Sequence, residues 1–97
     1  MTPQSGPSTI TPRGEYDEGA VGWLVHEVEL ALFGGATDVV IDLDALDFGG
    51  STLISDIIRA RRRCADHGAT LAVHAASAHW HRLFRIAGVS YLLDAQA

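Results

Sequence analysis

Residues 39–67 read VVIDLDALDFGGSTLISDIIRARRRCADH and pass from an apolar run through acidic residues and two glycines to a hydroxyl pair and a second apolar pattern. Val39, Val40 and Ile41 form a β-branched run without alternation, the pattern of a strand buried on both faces between parallel neighbours. Asp42, Asp44 and Asp47 then break the apolar pattern, and Gly49-Gly50 offers a backbone free to adopt positive φ just before Ser51 and Thr52. Beyond the two hydroxyls, Leu53, Ile54, Ile57, Ile58 and Arg61 recur at helical spacing, the arginine's aliphatic stem extending the stripe. Ser51 is a favoured N-cap residue. The stretch therefore predicts strand, hydroxyl-bearing loop and helix, with both hydroxyls at the positive end of the helix.

Moving outward toward the N-terminus, Val21, Leu24, Val25, Val28 and Leu32 recur at three and four and predict a helix capped by Asp17 and stopped by Gly34-Gly35. Before it, Gly14-Glu15-Tyr16-Asp17 has turn character. Thr9-Ile10-Thr11 reads as a short strand that Pro12 confines to a sheet edge. Residues 1–7, polar with two prolines, read as a disordered tail, and 8–97 as one domain. Toward the C-terminus, Gly68 closes the central helix and Thr70–His74 reads as a strand. Ser77 caps a third helix with Trp80, Leu83, Phe84 and Ala87 on its apolar side, Gly88 ends it, and Tyr91-Leu92-Leu93 reads as a last strand. This alternation predicts a single small α/β domain: a mostly parallel sheet of four to five strands with helices packed on it through right-handed crossovers.

Composition narrows the function classes. Ninety-seven residues with 47% hydrophobic content suit one domain with one modest core. The formal charge is −5 and all seven basic residues are arginine, a balance that argues against nucleic acid as the main partner, since phosphate binding needs a broad basic face. Arg61-Arg62-Arg63 reads as a solvated helix end where cations offset the dipole. A single cysteine, Cys64, falls on the helix pattern without a C-x-x-C partner and reads as a small buried hydrophobe. No basic leader and no window of membrane-spanning length is visible, so a cytoplasmic protein without a membrane partner is expected.

Catalytic and metal chemistry find little support. Gly49-Gly50-Ser51 supplies half of a G-x-S-x-G nucleophile elbow, but Leu53 stands where the second glycine belongs. Asp42, Asp44 and Asp47 could hold Mg²⁺ as in a phospho-receiver domain, but that site also needs a lysine and the chain has none. His79 and His81 point about 200° apart on a helix, and His26, His67 and His74 fall on other elements. His67 has a structural role at a helix C-terminus. No catalytic residue, cofactor or metal ligand is assigned.

The ordered pieces do resemble a family. Gly14-Glu15-Tyr16-Asp17 is similar to the G-E-L-D turn of STAS domains, the anti-sigma factor antagonist family. Val39–Leu43 followed by a hydroxyl pair and an apolar helix is similar to that family's V-x-D-L…D-S-S-G-L segment. Gly68–Val73, and Leu83-Phe84 with Ala87-Gly88-Val89, resemble its later parts, so the likeness spans roughly residues 9–94. The resemblance implies a bacterial regulatory protein-binding module without catalysis of its own, acting by partner switching in transcription. It implies that Ser51 is the phosphorylated hydroxyl, with Thr52 as its companion. The implied partner is an anti-sigma factor serine kinase of the ATPase/histidine-kinase-like fold. The expected docking surface is Gly49, Gly50, Ser51, Thr52 and Asp56. Two positions depart from the family pattern: Gly50 replaces its aspartate and Leu53 its glycine. They keep open an alternative, a constitutive STAS-like scaffold subunit whose hydroxyl is never phosphorylated.

Overall fold

A computed structural model describes residues 7–93. The elements run β1 (Pro7–Ile10), β2 (Gly14–Tyr16), α1 (Trp23–Phe33), β3 (Asp38–Asp42), β4 (Leu46–Gly49), α2 (Ser51–Asp66), β5 (Thr70–His74) and α3 (Ala78–Ile86). Short 3₁₀ turns at Glu18–Ala20 and Ser90–Leu92 complete the order. The main sheet has the order β1-β3-β5, and both pairings are parallel. Its register aligns Ile10, Ile41 and Val73 across the three strands, and all three are buried.

Both crossovers, through α1 and through α2, step the same way across this sheet. Two crossovers of one hand that step in one direction place their helices on one face, and α1 and α2 indeed pack on each other. Leu24 and Val28 of α1 and Leu53, Ile57, Ala60 and Cys64 of α2 close over the strand row, forming a single core. The central-strand reading of Val39–Ile41 holds in its buried residues: Val39 and Ile41 face the core, while Val40 is half-buried on the other face. Cys64 is a buried free thiol, and burial pushes its pKa up. Trp80 and Phe84 are core, and Ser77 caps α3 by accepting from the His79 N–H at 3.1 Å.

Several sequence expectations need correction. The small α/β class with parallel strands is right, but the five strands divide into a sheet of three and a separate parallel pair, β2-β4. Gly14–Tyr16 is strand rather than turn, and Asp17 caps the 3₁₀ turn rather than α1. The first strand begins and ends earlier than expected, at Pro7–Ile10. Tyr91–Leu93 contributes only a single bridge, Val73 to Leu93, after a 3₁₀ turn. Of the tail expected at 1–7, residues 1–6 lie outside the described residues and Pro7 opens β1. Neither Gly49 nor Gly50 uses positive φ.

Candidate functional site

The site begins where β4 hands over to α2. Gly50, with φ −125°, is the N-cap, so Ser51 is the first helical residue rather than the cap. The first intrahelical bond runs from the Ile54 N–H to the Gly50 carbonyl at 3.1 Å. The amides of Ser51, Thr52 and Leu53 thus precede the helical ladder, and no side chain caps them. Ser51 is exposed, Thr52 and Gly50 are half-buried, and the exposed ring of Phe48 lies just before them on β4. No acidic residue occupies the first turn of α2. The result is a neutral, uncapped, hydroxyl-bearing helix start, a place where an added negative charge meets free N–H groups and a favourable dipole.

Two residues expected on this surface lie beneath it. Gly49 is buried, and a Cβ there would sit 2.8 Å from Leu53 Cδ2 and 3.2 Å from Leu53 Cβ. Gly49 therefore lets β4 approach α2 closely, and the leucine that replaces the family's glycine fills the space its missing side chain leaves. Asp56 is 1% exposed and faces inward. Its Oδ2 accepts from the Tyr16 hydroxyl at 2.7 Å and the Gly22 N–H at 2.8 Å, and its Oδ1 accepts from Arg59 at 3.0 Å. The Tyr16 oxygen in turn accepts from the Leu24 N–H at 2.9 Å.

This network explains how α1 starts. Its N-cap is Gly22 at φ 88°, which has no side chain to offer. Tyr16 and Asp56, from β2 and α2, satisfy the orphan amides instead, and Asp56 brings a negative charge to the positive end of α1. Burial, and then the bond to Asp56, push the Tyr16 phenol well above its ordinary pKa.

A cluster that the sequence reading assembled only in part, pairing Asp42 and Asp44 but not His74, lies at the carboxyl ends of β3 and β5. The β3–β5 register sets Asp42 beside His74, and His74 Nε2 comes 3.2 Å from Asp44 Oδ2. Ligand atoms of Asp42, Asp44 and His74 lie within 4.8 Å of one another, whereas Asp47 stands apart on β4. The carboxylates already serve the turn: Asp42 accepts from the Asp44 N–H at 2.9 Å and Asp44 from the Ala76 N–H at 2.9 Å. His67, at the C-cap of α2, donates from Nδ1 to the Arg63 carbonyl at 2.9 Å. Among the described residues no helix is long and apolar enough to cross a membrane.

The family model for the MlaB-type STAS domain matches residues 3–94, nearly the whole chain. The chain belongs to the STAS family. Among curated protein sequences none matches it. The fold of this STAS chain is similar to the anti-sigma factor antagonist SpoIIAA in its unphosphorylated form, with a TM-score of 0.75 at 19% identity over 92% of this chain and 78% of that one. It is also similar to the Bacillus cell fate determinant SpoIIAA in its phosphorylated form, with a TM-score of 0.67 at 19% identity over 91% and 80% of the two chains. At that identity the likeness establishes the fold of the STAS domain and nothing finer.

Proposed function

We propose that this STAS domain is a non-catalytic regulatory binding module of the anti-sigma factor antagonist type, switched by phosphorylation of Ser51. One observation carries the reading: Ser51 is an exposed hydroxyl on the first residue of α2, unused by any cap and followed by free amides. A phosphate there brings about −1.5 to −2 charges, which the amides and the helix dipole accept without unfolding the domain. A partner surface shaped for a neutral hydroxyl meets desolvation and like-charge repulsion instead, so the modification releases the partner. An anti-sigma factor serine kinase of the ATPase/histidine-kinase-like fold would both bind this face and phosphorylate it. Gly50, Ser51 and Thr52 form the contact surface in this reading; Gly49 and Asp56 support it from below.

The constitutive scaffold is the second reading, favoured by the missing carboxylate at Gly50 and in the first turn of α2. Calorimetric titration separates the two. A partner captured with the wild-type protein is titrated with Ser51→Ala and with Ser51→Asp, which stands imperfectly for phosphoserine. Affinity lost with aspartate but kept with alanine supports the switch, and equal affinity for both variants leaves the scaffold. Phosphate on Ser51, sought by mass spectrometry of protein from its own cells, tests the modification directly.

A further inference from the structure

The arginines of α2 divide between two flanks of the helix. With successive residues about 100° apart around the axis, Arg59 and Arg63 fall with Asp56 on the flank that meets α1. Both are paired there, Arg59 with Asp56 at 3.0 Å and Arg63 with Glu29 at 3.4 Å. Arg61 and Arg62 fall outward and toward the other flank, which also carries Ile54 and Ile58. Among the described residues neither has a carboxylate within salt-bridge distance, and the same is true of Arg82 and Arg85 on α3. The Arg61 guanidinium instead lies over the ring of Tyr91, 5.4 Å from its centroid, and Tyr91 is itself 63% exposed.

The part of the sequence that carries this flank has a sign opposite to that of the whole chain. Residues 57–93 hold six arginines and one acidic residue, Asp66, whereas residues 7–56 hold one arginine and ten acidic residues. A chain of net charge −5 thus carries on this flank of α2 two exposed arginines without a carboxylate partner among the described residues, Arg61 and Arg62, the first of them against an exposed aromatic ring. Arginine and tyrosine are the side chains that most often anchor protein interfaces, because each combines apolar area with directed polar contacts.

We propose that the α2 flank formed by Ile58, Arg61, Arg62 and Tyr91 is a second docking surface, whose occupant is an acidic protein segment carrying apolar side chains. Carboxylates of that segment pair with Arg61 and Arg62, and its apolar residues cover Tyr91 and Ile58. The acidic remainder of the domain favours a short segment over nucleic acid, because a long polyanion leaving this patch runs onto repelling surface. The apolar share of the patch points the same way, since a phosphate backbone has nothing to place on Tyr91. The surface is independent of the role given to Ser51.

Fluorescence anisotropy on the full chain tests it. The probe is a labelled, end-blocked amphipathic peptide with glutamates on one face and leucines on the other. The comparison ligands are its lysine-for-glutamate counterpart, a DNA duplex and phosphatidylserine vesicles. The glutamate peptide is expected to bind, to weaken as salt rises, and to lose about tenfold in affinity with Arg61→Glu, with Arg62→Glu or with Tyr91→Ala. Ser51→Asp is expected to leave this binding unchanged. Circular dichroism of each variant verifies that the domain is folded. No binding of the glutamate peptide, binding indifferent to the three substitutions, or tighter binding to DNA or to vesicles would overturn the proposal.

Discussion

The Tyr16 hydroxyl uses its donor on Asp56 and its acceptor on Leu24, so one oxygen joins β2, α1 and α2. Tyr16→Phe keeps the ring, which is 3% exposed, and removes only that oxygen. The Leu24 N–H then lacks a partner and Asp56 loses a donor, a change expected to cost about 1–3 kcal/mol. Urea denaturation with an unchanged m-value would measure it; a loss below about 0.5 kcal/mol would mean that water replaces the hydroxyl. Gly49 makes a complementary case, because its constraint is space rather than polarity. Gly49→Ala drives a Cβ to 2.8 Å from the fully buried Leu53 side chain, so about 1–3 kcal/mol of strain is expected. Leu53→Ala removes the obstacle while leaving a cavity, and the double variant should therefore be more stable than the two single losses summed. Simple additivity in that cycle would show that β4 shifts away from α2 at little cost.

Elements made of periodic apolar residues were legible in the sequence, and elements defined by their partners were not. The body of α2 follows from Leu53, Ile57 and Cys64 recurring on one face, and the ends of the three helices from Gly34, Gly68 and Gly88. By contrast, β2 and β4 have three and four residues, pair only with each other, and include the turn-favouring Gly14 and Gly49. No local pattern marks such a pair. The inward turn of Asp56 was equally hidden, since its partner Tyr16 lies 40 residues away and a carboxylate on a helix normally faces water. The exposed Ser51 could be read because its place depends on the helix start alone. That the start of α1 is capped from other elements leads to a prediction at this scale. Asp56→Ala leaves the Gly22 N–H and the Tyr16 hydroxyl without their acceptor, and about 2–4 kcal/mol should be lost. Hydrogen exchange should quicken first in the opening turn of α1, while α3, capped by its own Ser77, keeps its protection. Uniform loss of protection across both helices would show that the cap is not a local element but part of one cooperative unit.

At the scale of the whole molecule, the core holds two weakly acidic groups whose protons burial retains, and both oppose unfolding less as pH rises. Cys64 is raised by burial alone, and Tyr16 by burial and then by donating to Asp56. A raised folded-state pKa means that the native state holds its proton more tightly than the unfolded chain does. The associated stability is complete below the unfolded values, 9.0 for the thiol and 10.0 for the phenol, and declines as pH rises above them. Melting temperature should therefore begin to fall near pH 9 and fall more steeply beyond pH 10. Removing the phenol removes its share of that slope: Tyr16→Phe should melt lower than wild type at pH 7, yet lose less between pH 10 and 11. The two curves approach each other because only the wild type has a buried hydroxyl to ionise. Parallel curves over that interval would mean that Tyr16 ionises in the folded state as readily as in water, which its place between Asp56 and the start of α1 does not allow.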